Sequence, residues 1–212
     1  MLLFHIYQYM VNFKVFLLFS FLLLQNLIFG QCAGTTSFVL TPLPPSGGYV
    51  SGTQVNVCFT MNGYNQTGSN WFEGFDINLG LGWTNLTPVS APSNCGGNST
   101  GGQWTWMNSV TSVATPVVTV GPGYFFDLTI DGNPGNDFGD SNTSGNCSWT
   151  MCFKVTVSNS CIPQNLLIQV TPGSDGVWGS YNSTSCDITT PINVYNGNSN
   201  PLPITVGPIS HN

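Results

Sequence analysis

Residues 148–157 read Ser-Trp-Thr-Met-Cys-Phe-Lys-Val-Thr-Val, and residues 53–61 read Thr-Gln-Val-Asn-Val-Cys-Phe-Thr-Met. In the first, Trp149, Met151, Phe153, Val155 and Val157 alternate with Thr150, Cys152, Lys154 and Thr156. In the second, Val55, Val57, Phe59 and Met61 alternate with Gln54, Asn56, Cys58 and Thr60. Successive strand side chains point to opposite faces, so each stretch predicts one core face and one polar face. That is the pattern of antiparallel sheets packed on one side. Cys58 and Cys152 share the polar register. On antiparallel neighbours their Cβ atoms would stand about 4.5–5.5 Å apart, within reach of a cross-strand disulfide.

Outward from these two stretches, weaker strand patterns recur at Ser37–Leu40, Trp71–Leu79, Gln103–Met107, Val117–Val120, Tyr124–Ile130, Leu166–Thr171, Val177–Tyr181 and Ile192–Tyr195. Gly, Pro, Asn and Ser clusters separate them, and nothing after residue 31 has helical periodicity. The expected fold is an all-β, antiparallel β-sandwich, Ig-like or jelly-roll-like, stapled by disulfides. It spans residues 31–195 as a single domain. Residues 93–102 read as a flexible loop, and 196–212 as a flexible tail or linker.

Residues 1–30 read as a signal peptide. Lys14 precedes an apolar core, Val15–Leu24, and Gly30 supplies a small residue at the cut, with Met10 an alternative start. The core is short against the about 20 apolar residues a membrane span needs. Cleavage would make Gln31 the first mature residue and leave no membrane span. The expected location is secreted, extracellular or at the cell surface.

Charge agrees with that location. Charged residues make up 5% of the 212-residue chain, against about 25% in ordinary soluble proteins. The chain has no Arg, and after the leader Lys154 stands alone against eight Asp and Glu. Nucleic-acid binding needs cations to neutralise phosphates, and attraction to anionic lipid needs the same, so both are excluded.

In an exported chain the seven cysteines read as disulfides. Clustered CxxC or His ligands for zinc are missing. Cys58 with Cys152 follows from strand register. Cys161 and Cys186 flank an expected hairpin, Leu166 to Tyr181, and would staple its base. Cys95 and Cys147 lie in expected loops and pair by elimination. Cys32 is left over. Many other connectivities remain open at this stage.

Catalytic signals are thin. The only mature His is His211, in the tail, so a Ser-His or Cys-His mechanism lacks a base within the fold. Glu73 and Asp76 lie three apart on an expected strand, and so on opposite faces rather than as a catalytic pair. The expectation is no enzyme. The segment 131–140, Asp-Gly-Asn-Pro-Gly-Asn-Asp-Phe-Gly-Asp, offers Asp131, Asn133, Asn136, Asp137 and Asp140 as oxygen donors for Ca²⁺. Gly135 falls where an EF-hand needs its third ligand, so the segment reads first as consecutive Asx turns without a cofactor. Ca²⁺ is the alternative. Trp71, Trp83, Trp104 and Trp178 are candidates for stacking on sugar rings if exposed, or for core packing if not.

The segments 70–75 (Asn-Trp-Phe-Glu-Gly-Phe), 121–127 (Gly-Pro-Gly-Tyr-Phe-Phe-Asp), 131–140 and 148–157 together resemble a recurring extracellular β-domain of Bacteroidetes surface proteins. Those proteins often end in a gliding-motility-associated sorting domain, of the type IX-secreted type. The resemblance covers roughly residues 48–190, and no sorting domain is recognisable in this chain. It implies an exported β-domain in adhesion or surface architecture, with no activity assigned to the domain; surface proteins or glycans are the expected partners. The expected function is a non-enzymatic structural or adhesion module. The alternative is a carbohydrate-binding module using exposed Trp and Tyr, with calcium assistance.

Overall fold

The computed structural model describes residues 35–64, 66, 71–96, 101–141, 147–174 and 191–201. The leader, Trp178 and Cys186 lie outside the described residues. Eleven strands are described: β1 (Thr36–Thr41), β2 (Gln54–Tyr64), β3 (Phe72–Leu79), β4 (Trp83–Ser90), β5 (Gln103–Met107), β6 (Val110–Thr111), β7 (Thr119–Val120), β8 (Gly123–Asp127), β9 (Cys147–Val157), β10 (Ile168–Ser174) and β11 (Ile192–Tyr195).

They form two antiparallel sheets, ordered β1-β2-β9-β4 and β11-β10-β3-β8-β5, with β6 and β7 as a separate ribbon. The alternation at 53–61 and 148–157 places β2 and β9 side by side at the centre of the first sheet. Val55, Val57, Phe59, Met61, Trp149, Met151, Phe153 and Val155 are fully buried, and their partners in the other register face out. Thr60 and Thr150 meet across the outer face, hydroxyl to hydroxyl at 2.9 Å. The second sheet closes the sandwich. Phe59 of one sheet meets Phe75 of the other edge-to-face, with ring centroids 5.7 Å apart. The β-sandwich expected from the sequence is the fold found.

Cys58 and Cys152 stand directly opposite and form a disulfide, with Cα atoms 4.1 Å apart. Cys95 and Cys147 form a second, with Cα atoms 5.8 Å apart. The Cys161–Cys186 bridge is a correction: Cys161 is exposed and unpaired. Over 168–170 both edges of β10 are taken by β3 and β11, and the second strand of the hairpin that suggested the bridge, Val177–Tyr181, lies outside the described residues.

Two further differences follow from position. β4 is absent from the strands expected from sequence, and Trp83 is its only buried residue. It is an edge strand, carries Pro88, and twice slips register against β9, which an edge tolerates and a central strand does not. Residues 196–201, the start of the expected tail, pack into the fold. Gly197 accepts a hydrogen bond from the Leu166 N–H at 2.8 Å, and the Asn200 N–H donates to Tyr49 at 2.7 Å. No helix among the described residues is long and apolar enough to cross a membrane.

Candidate functional site

β8 ends at Asp127, and the chain then turns through residues 128–140 before entering the core. Three carboxylates converge there: those of Asp127, Asp131 and Asp137 lie within 4.8 Å of one another. Local hydrogen bonds draw them together. Asp127 accepts the N–H groups of Asp131 (3.2 Å) and Gly132 (2.9 Å). Asp131 accepts the Asn133 N–H at 2.8 Å and the Asn136 side-chain amide at 3.2 Å. Asp137 accepts from the N–H and hydroxyl of Thr129, at 3.2 and 3.3 Å. These are the Asx-type contacts that short acidic side chains make in turns. Gly132 takes φ +84°, open to glycine, whereas Ile130 holds φ 57°, unusual for a β-branched residue. A 3-10 turn, Pro134–Asn136, closes the loop against the β6–β7 ribbon, where the Val113 N–H donates to Gly135 at 3.0 Å.

The electrostatics split the cluster. Burial, with the charge of Asp127 adding to it, pushes the Asp137 carboxyl above its ordinary range against the pull of Thr129. Asp131 is held below its ordinary range by the Asn136 side chain and the Asn133 N–H. Three clustered carboxylates suit a hard cation, but Ca²⁺ takes six to eight oxygens. Asn136 turns its amide nitrogen, not its oxygen, toward Asp131.

Of the five oxygen donors expected from sequence, Asp131 and Asp137 come together and Asn133 contributes a backbone N–H. Asp127 joins them. Sequence reasoning missed it because it closes a strand. Its signal was the four-residue step to Asp131 ahead of Gly132.

Asp140 is a correction to the proposed ligand set. It is completely buried, pairs backbone-to-backbone with Phe72, and sends its carboxylate into the core. There one oxygen accepts three N–H groups: the indoles of Trp149 at 2.8 Å and Trp104 at 3.3 Å, and the Cys95 backbone at 2.8 Å. One carboxylate thus joins β9, β5 and the segment carrying the Cys95–Cys147 bridge.

The tryptophan candidates separate in the same way. Trp83 is 6% exposed and Trp104 7% exposed, so neither presents a face to a sugar ring. Trp104 packs against Phe72, Phe75, Phe126 and Trp149, and Trp83 against Tyr49 and Tyr195. Trp71 is half-buried on Phe138, with ring centroids 5.0 Å apart. Trp106, outside the expected set, is half-buried on Tyr124 at 5.1 Å.

Asp76 on β3 is the other acid at a hollow, one lined by Ile77, Leu79, Leu86 and Pro122. Burial raises its carboxyl above the usual range, and the Gly121 N–H, donating at 2.7 Å, pulls it back. Glu73 is buried three residues earlier on the same strand.

Fold and site define a disulfide-stapled antiparallel β-sandwich with an acidic loop cluster at one end. Comparison with known proteins finds no matching family model, no matching curated protein and no matching solved structure.

Proposed function

We propose that this chain is a non-enzymatic structural or adhesive module that works outside the cytoplasm, secreted or held at the cell surface. The observation that carries the reading is the Cys58–Cys152 bridge at the centre of the first sheet, supported by Cys95–Cys147. Disulfides persist in oxidising compartments and are rare in reducing ones. The nearly uncharged outer faces of β2 and β9, Gln, Asn and Thr with one Lys, suit a solvated extracellular surface. The carboxylates of the 127–137 cluster are occupied by N–H donors of their own loop, which suits a structural role better than acid–base work.

Fractionation of producing cells tests this reading. The protein is expected in the medium, or on intact cells sensitive to added chymotrypsin, beginning at Gln31. Recovery from the cytosol with reduced cysteines would contradict it. The carbohydrate-binding alternative retains Trp71 among its described tryptophans. A glycan array probed with the secreted protein separates the two. The structural reading expects no bound glycan, and a hit lost in Trp71→Ala would favour the alternative. Surface proteins are the partners expected on the structural reading, and glycans on the alternative.

A further inference from the structure

The first sheet has two outer edges, and they are built differently. On β4, Pro88 lacks an N–H, Asn85 takes φ 53°, and the register against β9 slips twice. Those are the devices by which natural edges avoid pairing with other chains. β1 has none of them. Its six residues, Thr-Ser-Phe-Val-Leu-Thr, carry no charge and no proline, and they pair with β2 in unbroken register from Thr36↔Met61 to Thr41↔Asn56.

The direction of the backbone groups on β1 follows from two distances. The Asn62 N–H donates to Thr35 at 2.8 Å, so Thr35, Ser37 and Val39 aim their N–H and C=O groups at β2. The 4.1 Å Cα separation of Cys58 and Cys152 is that of a pair not hydrogen-bonded across β2 and β9. Cys58 therefore directs its backbone toward Val39, which gives the same phase. The N–H and C=O groups of Thr36 and Phe38 consequently face outward, where no described strand pairs with them. Apolar surface accompanies them. Phe38, on the core-facing side opposite Phe59, is 44% exposed, and Val39 on the outer side is 60% exposed.

We infer that this edge is an interface, and that β1 pairs antiparallel with β1 of a second copy about a two-fold axis. An edge whose alternate residues point outward is self-complementary under such an axis. Charge permits it. The chain carries a net charge of −6, yet β1, β2, β4 and β9 contain no acid, and the described acids lie on the second sheet and in the loop after β8. Joining copies through β1 brings no carboxylates face to face, builds a continuous eight-stranded sheet and covers Phe38. One strand pair buries less than the about 1,200 Å² of a standard stable interface, so the dimer is weak and concentration-dependent. The inference rests on edge geometry and not on the proposed surface role.

Sedimentation equilibrium of the secreted chain, from about 10 μM to 1 mM, tests it across the affinity range of weak complexes. The weight-average mass is expected to climb toward twice the monomer's with rising concentration. Val39→Lys places a charge on the edge and should weaken association by about tenfold or more. Val89→Lys on β4, a site 54% exposed, adds the same charge and should leave association unchanged. If Val39→Lys loses the folded near-ultraviolet dichroism, Ser37→Lys takes its place with the same expectation. A wild-type chain monomeric throughout, or equal loss in the β1 and β4 variants, would overturn the inference.

Discussion

Asp137 and Asp140 stand three residues apart in one loop and face opposite surroundings. Asp140 is sealed in the core beneath three converging N–H donors from β5, β9 and the Cys95 segment. Asp137 sits against the Asp127 carboxyl, and Thr129 donates to it through its N–H and hydroxyl. Similar residues therefore serve contrary ends. One supplies the acceptor that lets two indoles be buried. The other adds negative charge to a place already negative. The contrast teaches that a carboxylate's role in this loop is set by the donors that long-range packing brings to it, which no spacing within 131–140 encodes.

The largest effect should come from Asp140→Ala. It leaves two buried indole N–H groups and one backbone N–H without that acceptor, and should cost about 3–5 kcal/mol in denaturant unfolding. Loss of less than about 1 kcal/mol would mean that the convergence on Asp140 is incidental. Trp149→Phe removes the 2.8 Å bond and should cost about 2–3 kcal/mol, counting lost ring volume. Trp104→Phe, whose bond is 3.3 Å, should cost less. The reverse order would displace Trp149 as the main partner.

Asp137→Asn should act in the opposite sense. The folded-state carboxyl is raised, so the native protein binds its proton more readily than the unfolded chain. The charged form therefore costs stability at neutral pH, and that cost disappears as pH falls through the raised value. The Asn variant keeps an acceptor for Thr129, and should be more stable than wild type at pH 7 by less than about 1 kcal/mol. The gain should vanish toward pH 4. Asp131, held low, behaves inversely: its contribution is present above the ordinary carboxylate range and lost on stronger acidification. Destabilisation by Asp137→Asn at pH 7 would show that the cluster needs its full charge.

The smallest expected effect is none. EDTA should leave the melting temperature unchanged, because the loop's own N–H groups organise its carboxylates. A fall of several degrees, restored by Ca²⁺, would turn the Asp127–Asp131–Asp137 cluster into a cation site and shift the comparison toward function.

The sandwich was legible because β2 and β9 alternate without interruption, and alternation fixes both the core face and the opposed cysteines. β4 was illegible because an edge strand with one buried residue has little alternation to display. The site was half legible. The loop's composition marked it as unusual, and Asp131 and Asp137 were picked out. Asp127 was hidden by its place at a strand end. Asp140 looked like a ligand because its true partners, Trp104, Trp149 and Cys95, come from distant segments. Trp83 and Trp104 were ambiguous for the same reason, since an indole on a strand reads alike whether a sugar or a second sheet covers it.

The pairing of cysteines fixes the register of the central strands, and the proposed compartment rests on it. Lys14 and Lys154 are the only tryptic sites of the chain, so non-reducing mapping of the protein calls for chymotrypsin or pepsin. The expected result is one peptide pair joining Cys58 to Cys152 and another joining Cys95 to Cys147. Recovery of these four as free thiols, or Cys58 joined to any other cysteine, would contradict it.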